Sequence, residues 1–195
     1  EICASILIQS GSGFYSLKSH NNHVGVPYTI CRSSKQHQWL IIEIGMNNRG
    51  EIRPLSLLVQ PNVAVVTTIA PAHVGNLGSI DEIENEKLDI ATGLKSEGVL
   101  VLNAANPDLL KKVKLSQNQR LVCFGVSPAK PETLRDVRSL GLEGISFNVM
   151  IDEQYFQAKM SCLGRTNAQN AACAVVACKA LFPDLQAEQI IAGLN

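Results

Sequence analysis

The sequence predicts an α/β fold: a mostly parallel doubly wound sheet with flanking helices plus a small antiparallel hairpin. Three observations predict it. Short β-branched and aliphatic runs alternate with helical patterns through the first two thirds of the chain, which is the order of βαβ units. The connections are short, marked by "GSG" and "SPAKPE", with no internal repeat and no low-complexity linker. After residue 140 two strand-like runs follow one another directly, as in a hairpin.

Taken in order, "EICASILIQSG" opens on a helical spacing of Ile2, Ile6 and Gln9 that Gly11 can close. "GFYSL" and "QWLIIEIG" read as the first two strands, "PNVAVVTTI" and "GVLVLNAA" as the next two, and "QRLVCFGV" as the fifth. Ser79 with Glu82 has the S-x-x-E spacing of a capping box, and an apolar stripe follows it through Ile80, Ile83, position 87, Ile90 and Leu94. "GISFNVMI" and "YFQAKMSCL", joined through Asp152, Glu153 and Gln154, form the hairpin; "TNAQNAACAVVACKAL" and "LQAEQIIAGLN" are the closing helices.

Composition sets the class. With 195 residues, 46% of them hydrophobic, the chain makes one soluble domain with a substantial core. Lys plus Arg and Asp plus Glu both number 17, so no global field points to nucleic acid or to an anionic membrane. No apolar run approaches the roughly 18 residues of a membrane span, and the start lacks the regions of a signal peptide. The six cysteines lack C-x-x-C spacing, and several sit in apolar runs, as expected of buried thiols in a reducing cytoplasm. The chain opens without a methionine or an N-cap and stops as a helix ends, so it is expected to be a piece of a longer enzyme.

In a parallel α/β sheet, ligands gather at the carboxyl ends of the strands. Glu43, in "IIEIGMNNRGEI", lies in what reads as a strand buried on both faces, where a carboxylate needs a cation: an ion pair or a metal. His73 follows Pro71 in the Gly-rich loop "APAHVGNLGS" after the third strand, as a polar surface residue or as a ligand to a cation or phosphate. Lys87 interrupts the stripe, so it either snorkels to water or is turned inward and chemically altered or paired. Asn167 and Asn170, one turn apart at the start of an alanine-rich helix, either cap it or face a ligand at its N-terminus.

The blocks "NNHVGVPYTI", "IIEIGMNNRGEI", "TTIAPAHVGNLGS", "ENEKLDIATGL", "VLNAANPD" and "LGRTNAQNAACAV" resemble, in order and spacing, the central ATPase domain of the Mur ligases, which build the peptide stem of bacterial cell-wall precursors. The wording "E-x-G-x-N-x-x-G-E-I" with "P-A-H" most resembles the branch that adds D-alanyl-D-alanine to a UDP-N-acetylmuramoyl tripeptide. The resemblance implies ATP and Mg²⁺ as cofactors, with Glu43, His73 and a carbamylated Lys87 as catalytic metal ligands. It further implies Arg165, Asn167 and Asn170 at the nucleotide, Asn21 and Asn22 on the substrate side, and a cytoplasmic monomer. A G-x-x-G-K-[ST] phosphate loop would precede Glu1, and an amino-acid-binding domain would follow Asn195. Thr68, Gly75 and Ala105 stand where the family more often has asparagine, glutamate and aspartate. A sibling Mur or folylpolyglutamate-type ligase, or a silent binding module, are the alternatives.

Overall fold

The computed structural model describes residues 1–69, 74–125 and 132–195. The chain opens with helix α1 (Ile2–Leu7), strand β1 (Gly13–Tyr15), α2 (Gly25–Arg32), β2 (Trp39–Ile41), α3 (Ile52–Val59) and β3 (Val63–Val66). Then come α4 (Val74–Leu77), α5 (Ile80–Leu88), a 3-10 turn (Asp89–Gly93), β4 (Val99–Asn103), α6 (Pro107–Lys112) and β5 (Arg120–Phe124). Strands β6 (Leu134–Ser139), β7 (Ile145–Ile151) and β8 (Gln154–Met160) precede α7 (Arg165–Leu181) and α8 (Ala187–Leu194).

All five expected parallel strands are present and parallel, but the ladder is in two pieces. β1 pairs with β2, while β3, β4 and β5 form a second sheet with β4 at its centre. β4 is buried on both faces, as the unbroken "VLVL" run requires. Its alternation divides the core. Leu100 and Leu102 face one way, with Ala64, Val66, Leu94 and Leu109; Val99 and Val101 face the other, with Phe124, Cys173 and Ala177 of α7.

The hairpin gains a third strand. β7 and β8 pair antiparallel across a two-residue turn, Asp152 and Glu153, both at positive φ; Gln154, expected in the turn, pairs instead with Ile151. β6, not expected from the sequence, pairs with β7 through a bulge between Arg135 and Arg138. The bulge breaks the period-2 alternation, leaving only Leu134 and Val137 to pack inward, and the charged remainder suits an exposed edge.

Helix α7 is the shared layer. Its buried face of Ala168, Ala171, Ala172, Ala174, Val175 and Cys178 meets α1, β6 and β7, and Cys173 with Ala177 meets the three-stranded sheet. Small side chains allow that close approach on several sides. Among the described residues no helix is long and apolar enough to cross a membrane.

At the other face α3 lies against the 3-10 turn. Ser56 is fully buried and its hydroxyl donates to the Ile90 carbonyl at 2.5 Å. A Cβ on Gly93 would stand 2.0 Å from the Ser56 carbonyl oxygen, so glycine is required by contact with backbone rather than by φ. Gly93→Ala is expected to destabilise the fold by about 1–3 kcal/mol, measured as a lowered urea midpoint at unchanged slope.

Candidate functional site

A cavity of about 370 Å³ opens at the carboxyl ends of β2 and β3. Val65, Val66 and Thr67 form one wall, Ile44, Gly45, Met46 and Asn47 of the loop after β2 another, and Asn21, Asn22, Glu51 and Lys87 complete it. A smaller hollow of about 260 Å³ at the opposite, amino end is lined by Asn62, Lys95, Glu97 and Arg120 and contains none of the expected site residues. Position at the strand exits favours the larger cavity.

Glu43 is not in a strand buried on both faces. The β2 ladder ends at Ile41, and Glu43 is exposed just beyond it. Its carboxylate therefore needs no buried cation. It accepts a hydrogen bond from Asn21 Nδ2 at 2.7 Å, and its N–H donates to Ser16 Oγ at 3.1 Å. Asn21 is itself held by its carbonyl, which accepts from the Gly45 N–H at 2.8 Å, and Gly45 leaves just enough room for the carboxamide, since a Cβ there would meet Asn21 Nδ2 at 2.7 Å. Asn21 thus connects the cavity wall to Glu43, one oxygen engaged and the carboxylate fixed in direction.

Asn22 turns toward its own helix. Its Oδ1 accepts from the N–H groups of Val24 and Gly25 at 3.1 and 2.9 Å, fixing the entry to α2. His73 lies outside the described residues; α4 begins directly after it.

Ser79 caps α5 as expected, its hydroxyl accepting from the Glu82 N–H at 3.2 Å. The apolar stripe, however, is differently placed. Ile80 is 49% exposed, and the buried residues are Ile83, Glu84 and Glu86. Lys87 sits half-buried at the margin of that face, its Nζ donating to the Thr68 carbonyl at 2.7 Å just past β3. The anomaly in the stripe is thus as much the carboxylate before Lys87 as Lys87 itself.

Glu86 is the residue that sequence reasoning missed. Its two oxygens accept from the N–H groups of Gly50 and Ile52, at 2.7 and 2.9 Å, so α5 supplies the anion at the N-terminus of α3. The only signal was its spacing three residues after Ile83. Glu51 does related work within the loop, accepting from the N–H groups of Asn47 and Asn48, and the Asn47 backbone bond leads in holding its carboxyl below the usual range. Arg49 donates to the Leu77 carbonyl at 2.7 Å. The loop after β2 is therefore fastened to the helix that carries Lys87.

The residues expected at a nucleotide, Arg165, Asn167 and Asn170, share this edge of the sheet. Ala180 and Leu181, at the end of α7, border the hollow at the amino ends of β4 and β5, so the helix runs against the strands and its first turn points to their carboxyl ends. Gly164, with φ +93°, begins α7, and no side chain caps it. Asn167 Nδ2 reaches back to the Leu163 carbonyl at 2.8 Å; Arg165 is exposed, and the half-buried Asn170 carboxamide makes no hydrogen bond within the described residues.

The donor set is one of oxygens and a lysine. Among the described residues no three His, Cys, Asp or Glu side chains converge on a metal position. The available carboxylate oxygen of Glu43 suits a hard cation such as Mg²⁺, which takes oxygen ligands. Lys87 would join such a set only as an oxygen-bearing derivative.

Burial holds the Lys87 ammonium below the usual lysine range. A hydrogen bond to Asp108 raises Lys111, and those to Asp81 and Glu84 raise Lys112. A lowered value means more free amine at a given pH. The rate of acetylation by acetic anhydride, followed by peptide mapping, is therefore expected to rise at lower pH for Lys87 than for Lys111 or Lys112; the reverse order would contradict this placement.

Residues 1–178 match the family described as Mur ligase middle domain. The chain is 29% identical over 194 residues to the UDP-N-acetylmuramoyl-tripeptide--D-alanyl-D-alanine ligase of Escherichia coli, covering all of this chain and 42% of that protein. It is 35% identical over 158 residues to the protein of the same name from Bacillus subtilis, covering 80% of this chain and 33% of that one. A crystal structure of MurF from Acinetobacter baumannii superposes with a TM-score of 0.87 at 26% identity, over 99% of this chain and 41% of that one. The chain thus spans less than half the length of these relatives.

Proposed function

Since the chain belongs to the Mur ligase family through its middle domain, we propose that it is the ATP-using core of a cytoplasmic ligase that joins D-alanyl-D-alanine to a UDP-N-acetylmuramoyl tripeptide. The observation that carries this reading is the strand-exit cavity, where Asn21 and Lys87 form part of one wall system and the first turn of α7 points to the same edge. Relatives named for that reaction supply the substrates. On this reading the phosphate loop and the domains that grip the UDP-sugar and the dipeptide belong to the rest of a longer protein.

The reaction activates a carboxylate: the tripeptide's terminal carboxylate attacks the γ-phosphorus of ATP, ADP leaves, and the dipeptide amine displaces phosphate from the acyl phosphate. The protein's part in such a transfer is positioning and charge. Glu43, oriented by Asn21, would hold Mg²⁺ together with His73 and Lys87. Bound there, the ion would supply positive charge to offset that of the phosphoryl oxygens. Arg165, Asn167 and Asn170 would receive the nucleotide; the carboxamide of Asn170, not engaged within the described residues, offers the paired donor and acceptor that an adenine edge requires.

Lys87 fits this role once carbamylated. Its neutral amine adds to carbon dioxide, a proton leaves, and a carboxylate stands at the end of the side chain. Burial favours the neutral amine on which that step depends. The Thr68 carbonyl, which now accepts from Nζ, would then accept from the carbamate N–H.

In the full-length protein, Lys87→Ala is expected to lower kcat about a hundredfold or more with little change in thermal midpoint, and a short carboxylic acid to restore part of the rate. Lys87→Arg keeps the charge but forms no stable carbamate, so it should stay inactive. Glu43→Ala should lose rate similarly and raise the Mg²⁺ concentration needed for half-maximal turnover. Near-normal turnover of either alanine variant at saturating Mg²⁺ would remove that residue from the site.

A further inference from the structure

We propose that Cys3 and Cys178 are an oxidisable pair, a modification site at which a peroxide joins α1 to α7 by a disulfide. The two residues are 175 positions apart in sequence, yet Cys178 Sγ lies 3.8 Å from the Cys3 carbonyl oxygen, where α1 packs on the last turns of α7. Cys3 also packs against the core cluster that contains Cys178. Both are free cysteines. They differ in access: Cys178 is 2% exposed, whereas Cys3 is only partly buried. Cys173, on the same helix, packs instead toward the three-stranded sheet with Phe124 and Val101, which makes the pairing selective.

The asymmetry assigns the order of events. The Cys178 side chain beside it holds the Cys3 thiol below its ordinary value, and the Cys3 side chain together with burial pushes Cys178 up. Cys3 is the nucleophile. Its thiolate attacks one peroxide oxygen, an S–O bond forms, the O–O bond breaks and hydroxide leaves as water, giving a sulfenic acid at Cys3. The Cys178 sulfur then attacks the Cys3 sulfur; the S–S bond forms, the S–O bond breaks, and the Cys178 proton departs with the hydroxide as a second water. Two thiols lose two electrons and one hydrogen peroxide becomes two waters. No further reductant or metal enters the balance.

The bridge would close almost the entire chain into one loop and fix the first helix to the helix that carries Asn167 and Asn170. This inference does not depend on the ligase reading, because it is read from thiols rather than from turnover.

The test is stoichiometric hydrogen peroxide added to the reduced protein, followed by peptide mapping without reductant. Expected are a linked pair of peptides containing Cys3 and Cys178, a mass lower by two hydrogens, and a thermal midpoint raised by about 5 °C or more that dithiothreitol reverses. Cys3→Ser should abolish the link and the shift, while Cys173→Ala should keep both. Cys178→Ala adds a second control: there Cys3 should stop at the sulfenic acid, trapped by dimedone. Oxidation of Cys3 to sulfinic acid without a link, a bridge from Cys3 to any other cysteine, or no reaction at one equivalent would overturn the proposal.

Discussion

Two sheets and the first helix rest on α7, and that arrangement works only because the helix is built from alanine, cysteine and valine where it is covered. A larger side chain at Ala171 or Ala172, both fully buried, would push α1 or the antiparallel sheet away by the width of the added atoms. Because α7 is held from several sides, its direction is fixed, and with it the position of its first turn at the carboxyl edge of the strands. The site inherits its geometry from this packing. Asn167 and Asn170, proposed for the nucleotide, stand where they do because Ala177 and Cys173 sit under β4 and β5.

The cavity walls are set by a different means. Three carboxylates, at Glu43, Glu51 and Glu86, are engaged mainly by backbone N–H groups and by carboxamides rather than by cations. Such bonds orient a carboxylate without cancelling its charge, which keeps the edge of the cavity anionic and rich in oxygen. Lys87 is the exception, a cation donating to a carbonyl beside that edge. A hard cation with a polyphosphate ligand suits those surroundings better than an apolar molecule does.

Much of this was legible in the sequence because burial writes it there. The run Val99 to Leu102 is apolar on both sides of the chain since β4 is covered on both faces, and Ser79 announces α5 since it caps it. Legibility failed where a local rule was overridden. Glu43 looked buried because the apolar residues around it continue past the point where the ladder stops, at Ile41. β6 escaped because its bulge places charged residues where alternation would place apolar ones. Glu86 escaped because a charged residue in "ENEKL" reads as solvated, and its partners, Gly50 and Ile52, lie more than thirty positions away. Of the expected site residues, Asn21, Asn22 and Lys87 meet at one cavity, Glu43 stands one hydrogen bond behind it, and His73 falls outside the described residues.

The fastening of the loop after β2 has a consequence for the cavity. Glu86 holds Gly50 and Ile52, and Arg49 holds Leu77, so side chains tie this wall to α4 and α5. A ladder holds with every backbone pair along its length, whereas a side chain holds through a few χ angles, so a single substitution at Glu86 or Arg49 would free a wall of the cavity without unpairing any strand.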